Sequence, residues 1–252
     1  MNQYKTATAG VAAFALMLIA SPSQAAGVNL VANGSFEQTT PSVMGDFNGG
    51  LRVIPNTSNS GLSGWTTASQ WALAVSPSAI PGVVDTTQNG GPDLVTASPD
   101  GGNFITMDGD STLHGALTQT VSGLITGDTY NLSFYSALGQ QVQHSGETWD
   151  WMTASLGSQS ALVWATPGHP TYLASEGFTG WQQFNLTFTA TASKEVLSFL
   201  ANGGPNGSPP LTLLDGVSLT NVTPTPLPAA LFFVAPALAG VFGFSRRKQD
   251  KA

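Results

Sequence analysis

Between residues 27 and 223, apolar and polar side chains alternate one for one in short runs, and this constrains the fold more than any other feature. Tyr130, Leu132 and Phe134 alternate with Asn131, Ser133 and Tyr135. Phe184, Leu186 and Phe188 alternate with Asn185, Thr187 and Thr189, and Leu197 and Phe199 flank Ser198. A period of two sends successive side chains to opposite faces, so each run reads as a strand with one face buried. Ser122-Gly123, Gly127-Asp128 and Gly203-Gly204-Pro205 punctuate the runs as turns. No window carries a helical period of 3.6. The 29 glycines and 16 prolines among 252 residues suit frequent turns and few long helices. Short alternating strands divided by turns predict an all-β fold, an antiparallel jelly-roll sandwich. Residues 39–64 and 75–102 lack the alternation and read as long loops, and no internal repeat is visible.

Charge separates this body from the two ends. Only 8% of residues are charged, and of the seven Lys and Arg, Lys5 lies near the N-terminus and Arg246, Arg247, Lys248 and Lys251 near the C-terminus. The body keeps Arg52 and Lys194 against 13 acidic residues. Such a surface repels anionic polymers, which argues against nucleic acid as a partner. With no cysteine, disulfides, thiolate metal sites, iron–sulfur clusters and cysteine nucleophiles are all excluded.

At the N-terminus, Lys5 precedes an apolar run from Gly10 to Ala20 and then Ser23-Gln24-Ala25-Ala26. This order reads as a secretory signal over 1–26, since so short a run cannot cross a core about 30 Å thick. At the other end, Leu227–Phe244 is uncharged and Ser245-Arg246-Arg247-Lys248 follows at once. Eighteen residues at about 1.5 Å each reach about 27 Å, enough for a single short transmembrane helix. The basic cluster would stay cytoplasmic and leave the body outside. A buried core helix is the other reading, but it gives no reason for the charges that follow. Expected domains are therefore 1–26, the body over 27–222, and a C-terminal segment over 223–252.

That C-terminal segment resembles the PEP-CTERM sorting signal of Gram-negative bacteria. The residues carrying the resemblance are Pro224-Thr225-Pro226-Leu227-Pro228-Ala229-Ala230, the apolar stretch to Phe244, and Arg246-Arg247-Lys248. Pro226, Leu227, Pro228 and Ala229 look like the Val-Pro-Leu-Pro-Ala variant, with Thr225 where valine would stand. The resemblance implies signal peptidase and an exosortase as processing partners, an inner-membrane intermediate, and a final place at the cell surface or in the extracellular matrix. It also implies an association with exopolysaccharide and biofilm.

Within the body, Asp215 shares parity with Leu211, Leu213, Val217 and Leu219, so alternation points its carboxylate toward the apolar face. Burying a lone carboxylate costs several kcal/mol. With two basic residues in the body, a hard cation held by carboxylate and backbone oxygens is the natural partner. A bulge at Gly216 that turns the carboxylate to solvent or backbone N–H groups is the alternative. The segment Gln140–Trp151 holds His144, Glu147, Trp149, Asp150 and Trp151. Tryptophan beside polar groups is how sugar-binding loops stack pyranose rings, which nominates Trp149, Trp151, Glu147 and His144 as glycan-binding residues. Alternatively the tryptophans cap the core, and Trp71, Trp164 and Tyr172 carry the same two readings.

Catalysis finds little support. There is no G-x-S-x-G elbow, no H-E-x-x-H and no phosphate loop. His114, His144 and His169 lack ligand spacing, and Asp108-Gly109-Asp110 reads as a turn. A glycosidase needs two carboxylates at a set separation; Glu147, Asp150 and Glu176 could supply them, as could any acidic loops.

A second resemblance covers most of the body. Asn29–Glu37, Gly61–Trp65, Asp100–Phe104, Leu117–Val121, Gly127–Phe134, Trp181 with Phe184–Phe188, and Leu214–Leu219 succeed one another as in galactose-binding-like jelly rolls, among them carbohydrate-binding modules. The resemblance implies a structural Ca²⁺ held by Glu37 and Asp215, with carbonyls near Asn33–Ser35, Asn33 and Ser35 included, completing the shell. The expected protein is an exported, non-enzymatic surface or matrix protein. A dedicated carbohydrate-binding module is the alternative, and a divergent glycan hydrolase a further one.

Overall fold

The computed structural model describes residues 27–39, 45–47, 51–53, 61–68, 72–75, 98–141 and 143–222. Both terminal signals, with Pro226, Leu227, Pro228, Ala229, Arg246 and Arg247, and also Trp71, lie outside the described residues. Among the described residues, no helix is long and apolar enough to cross a membrane.

Among the described residues, thirteen strands follow one another: β1 Gly45–Phe47, β2 Leu51–Val53, β3 Thr66–Thr67, β4 Ala72–Val75, β5 Phe104–Asp108, β6 Leu117–Ser122, β7 Thr129–Gln140, β8 Thr148–Leu156, β9 Gln159–Val163, β10 Thr171–Leu173, β11 Gln182–Thr189, β12 Lys194–Gly204 and β13 Pro210–Asn221. They form two sheets. The first runs β1-β2-β4-β5-β13-β7-β11; the second runs β10-β8-β12-β6-β3, with β9 also paired to β8. From β5 onward the chain crosses between sheets at almost every connection. It places β5-β13-β7-β11 opposite β6-β12-β8-β9, with antiparallel neighbours throughout. That interleaving is the strand order of a jelly roll.

The alternation does what it predicts. In β8, residues 148, 150, 152, 154 and 156 are buried while 149, 151, 153 and 155 are half-exposed. Met152, Ala154 and Leu156 join Leu197 and Phe199 of β12, Leu132 and Phe134 of β7, and Ile105 and Met107 of β5 in one core. Phe36, Trp65, Phe199 and Phe134 form a chain of ring contacts through it, at 5.4, 6.2 and 5.3 Å. Each large side chain removed from water here contributes about 2 kcal/mol.

Three expectations need correction. The stretch read as a loop over 39–64 contains the β1–β2 hairpin, which β4 joins to β5. Three-residue strands are too short to show alternation. Gly203-Gly204 belongs to β12 rather than to a turn. At Gly204 a Cβ would stand 2.4 Å from Cζ2 of Trp149, so glycine is what lets that indole lie against the sheet. Finally, the shared parity along β13 is broken. Asp215 pairs with Tyr135 but Ser218 pairs with Ser133, an extra residue that marks a β-bulge. Gly216 sits there at φ 59°, where a side chain is strained. Before the bulge Leu214 faces the core; after it Val217 and Leu219 do. Leu211, Leu213 and Asp215 consequently face the outer side of the first sheet, where Trp181 packs edge-on against Phe104.

Candidate functional site

On the outer face of the second sheet, the alternation of β8 turns Trp149 and Trp151 outward. Their rings stack on each other, centroids 5.4 Å apart and planes 18° from parallel. β10 pairs with the start of β8 so that Tyr172 stands directly opposite Trp149. Tyr172 is 72% exposed and Leu162 of β9 is 41% exposed, both unusual for such side chains. The segment between β9 and β10 closes on itself through two backbone hydrogen bonds between Thr166 and His169, 3.2 and 2.9 Å. Together these residues bound a cleft of about 410 Å³, lined by Trp149, Trp151, Leu162, Thr166, His169 and Tyr172 with Ala165, Gly168 and Pro170. Among the described residues, no Asp, Glu, Lys or Arg contributes to its wall.

Glu147 and His144, grouped with the tryptophans on sequence grounds, do not line the cleft. Leu162, Thr166 and His169 do, brought in by β9 and the β9–β10 turn, and nothing local in the sequence signals that convergence. Trp164 turns the other way. At φ 64° its ring enters the edge of the core, T-shaped against Phe184 at 5.2 Å, and its Nε1 donates to Ser136 Oγ at 3.0 Å.

Asp150, between the two tryptophans in sequence, points into the sandwich instead. It is fully buried, and the Thr212 hydroxyl approaches both carboxylate oxygens at 3.2 Å. Desolvation, with the charge of Asp108 nearby, holds its carboxyl well above the usual range. Glu147 is exposed and Glu176 is half-buried, its N–H donating to Gln140 Oε1. The three carboxylates therefore do not gather at the cleft. The Asp108–Asp110 turn is held by its own hydrogen bonds. Asp108 Oδ1 accepts from Asp110 N, Asp110 Oδ1 from Thr112, and Asp110 Oδ2 from Gly207 N.

A second polar group lies on the outer side of the first sheet. Asp215 is 0% exposed; its Oδ1 accepts from Gly216 N at 2.7 Å and its Oδ2 has no hydrogen-bond partner. Burial above all, then the negative charges of Asp100 and Glu37, push its carboxyl from 3.8 to about 7, against the opposing pull of Ser98 and the Gly216 N–H. Glu37 is exposed, and its Oε1 accepts from Asn103 N at 2.5 Å. Asn33 is committed elsewhere. Its carbonyl accepts from Phe36 N and from Trp65 Nε1, and its side chain bonds Gln38 and Ser63. Both lone pairs of its main-chain carbonyl are thereby engaged, while its side-chain Oδ1 accepts from Gln38 N alone. Ser35 is half-buried in the same turn. Ser98 and Asp100 were missed on sequence grounds, although Asp100 opens one of the fragments carrying the jelly-roll resemblance. Among the described residues, no group of three or more His, Asp or Glu is arranged to hold a metal ion. The orphaned Asp215 oxygen, with negative charge beside it, nonetheless has the chemistry of a hard-cation ligand that draws its other partners from carbonyls.

No protein-family model matches the sequence, and no curated protein matches it. Among solved structures, the chain is similar to the module TmCBM61 in complex with beta-1,4-galactotriose, at 13% identity over 77% of this chain and 99% of that one, with a TM-score of 0.38. It is also similar to an arabinose-bound α-L-arabinofuranosidase, at 20% identity over 78% of this chain and 27% of that one, with a TM-score of 0.40. A xylan-binding domain from Paenibacillus barcinonensis shares 11% identity over 68% of this chain and 92% of that one, with a TM-score of 0.33.

Proposed function

We propose that this chain is a glycan-binding protein of the bacterial cell surface or extracellular matrix, and that the cleft over Trp149 and Trp151 takes an uncharged sugar. The uncharged, aromatic wall of that cleft is the observation that carries the reading. A pyranose ring offers C–H-rich faces that stack on indole and phenol, and hydroxyl edges that hydrogen-bond to groups such as Thr166 and His169. Anionic sugars would need cationic partners, and among the described residues the wall has no Lys or Arg to supply them. Export by a signal over 1–26 and processing by an exosortase at 223–252 rest on the sequence, as does the association with exopolysaccharide. A structural Ca²⁺ fits the same reading. Asp215, with Glu37 and Asp100 at hand, would hold it and so relieve the buried carboxylate.

Binding of the whole chain to a panel of neutral and uronic-acid polysaccharides, followed by affinity electrophoresis, tests the proposal. Saturable retention by a neutral glycan that is lost in Trp149→Ala and Trp151→Ala supports it. Retention by acidic glycans only, or binding untouched by either change, overturns it.

A further inference from the structure

We propose that β11 is an open docking edge at which two copies of this chain pair antiparallel about a two-fold axis through Asn185. β11 is the outermost strand of the first sheet and is 8 residues long. Other boundary strands among the described residues are shorter: three residues in β1 and β10, two in β3 and five in β9. Soluble proteins usually blunt a long edge with Lys, Pro or a charge, because its unpaired backbone groups will template another strand. Gln182–Thr189 holds none of these.

Hydrogen bonding fixes which backbone groups are open. Ala190 donates its N–H to Asp128 at the head of β7, on the paired side. Thr189 turns its N–H and C=O the other way, where the side-chain amide of Gln159 accepts one at 3.1 Å and donates to the other at 2.5 Å. Backbone groups alternate sides along a strand, so Gln183, Asn185 and Thr187 also face outward. No backbone partner meets these three residues on that side among the described residues. Gln159 therefore closes one end of the edge and leaves a window of about 13 Å from Gln183 to Thr187.

The window is self-complementary. An antiparallel pair centred on Asn185 sets Asn185 opposite its own copy and Gln183 opposite Thr187, all uncharged groups that both donate and accept. Asn131 Nδ2 already donates to Asn185 Oδ1 at 3.2 Å, so the amide row would run on through the axis into the second copy. Half-buried Phe184 and Leu186 on the inner face would each gain apolar cover. An isologous contact of this kind closes at two copies.

Sedimentation velocity of the whole chain across a concentration series should show reversible dimers. Asn185→Lys and Asn185→Asp place like charges face to face only if the axis passes through this residue, so each variant alone should be monomeric and an equal mixture should dimerise again. Because the chain has no cysteine, an Asn185→Cys variant reports the geometry without interference. Hydrogen-bonded antiparallel partners lie about 5.5 Å apart between Cα atoms, inside the range a disulfide spans. Oxidation should therefore yield a covalent dimer, at a rate far above that of a Ser193→Cys control. A monomer at every concentration, charge variants as dimeric as the parent, or no recovery on mixing would each overturn the proposal. If a charge variant fails to fold, an Asn185→Cys variant that cross-links no faster than the control overturns it alone.

Discussion

The two outer faces of the sandwich are built from the same alternation and end in opposite chemistry. Over the second sheet, the outward positions of β8, β9 and β10 carry Trp149, Trp151, Leu162 and Tyr172. Over the first, the outward positions of β7, β11 and β13 carry Asn131, Ser133, Asn185, Thr187, Ser218 and Thr220. Each face also has a buried carboxylate nearby, Asp150 beneath the aromatic one and Asp215 under cover at the flank of the polar one. The scaffold thus leaves outward positions free to specialise while inward ones stay apolar, and function has to be sought among residues the core does not need.

The largest expected effect separates the two carboxylates. Asp215 keeps its proton to about pH 7 in the folded chain, whereas the unfolded chain releases it near 3.8. Between those values the folded state binds more protons at this group, so the contribution of Asp215 to stability is greatest below 3.8 and falls as pH rises to about 7. The loss amounts to as much as about 4 kcal/mol. Melting in chelator across this range should trace the decline. Asp215→Asn should remove the part of the decline that Asp215 contributes and leave the part due to buried Asp150, and added calcium should raise the midpoint of the parent but not of the variant at pH 7 and above. A parent midpoint indifferent to chelator would remove the ion from that face.

Next in size, Trp151→Ala should weaken glycan binding by about 2 kcal/mol, roughly 30-fold in Kd, measured by calorimetry. Gly204→Ala should follow at about tenfold, because its new methyl displaces the Trp149 ring while adding nothing to the cleft. Thr187→Ala, on the polar face, should leave the glycan Kd within about twofold, as surface changes away from a site usually do. A larger change from Thr187 would move the binding site to the first sheet and collapse the contrast between the faces.

What was legible in the sequence follows from which interactions are local. β7 and β11 announce themselves because six residues in each alternate against a fixed period. The β1–β2 hairpin hides because three residues cannot. Trp149 and Trp151 could be nominated from their own segment, but Leu162, Thr166 and His169 reach the cleft only through the pairing of β9 and β10 with β8, which no short window encodes. Asp215 shows both sides of the matter. Its burial was expected, but for the wrong face, because a bulge one residue long reverses every orientation downstream and its only local sign is Gly216.

That bulge makes β13 a strand written in two reading frames. Up to Asp215, even-numbered residues address the core; from Val217 onward, odd-numbered ones do. Losing the single extra residue would shift the second message by one letter, turning Val217 and Leu219 out toward water and leaving polar side chains to face Phe36 and Trp65. The length of this strand is therefore as much a part of its meaning as its composition. A substitution near Asp215 alters one side chain, whereas a one-residue deletion there would rewrite everything that follows it.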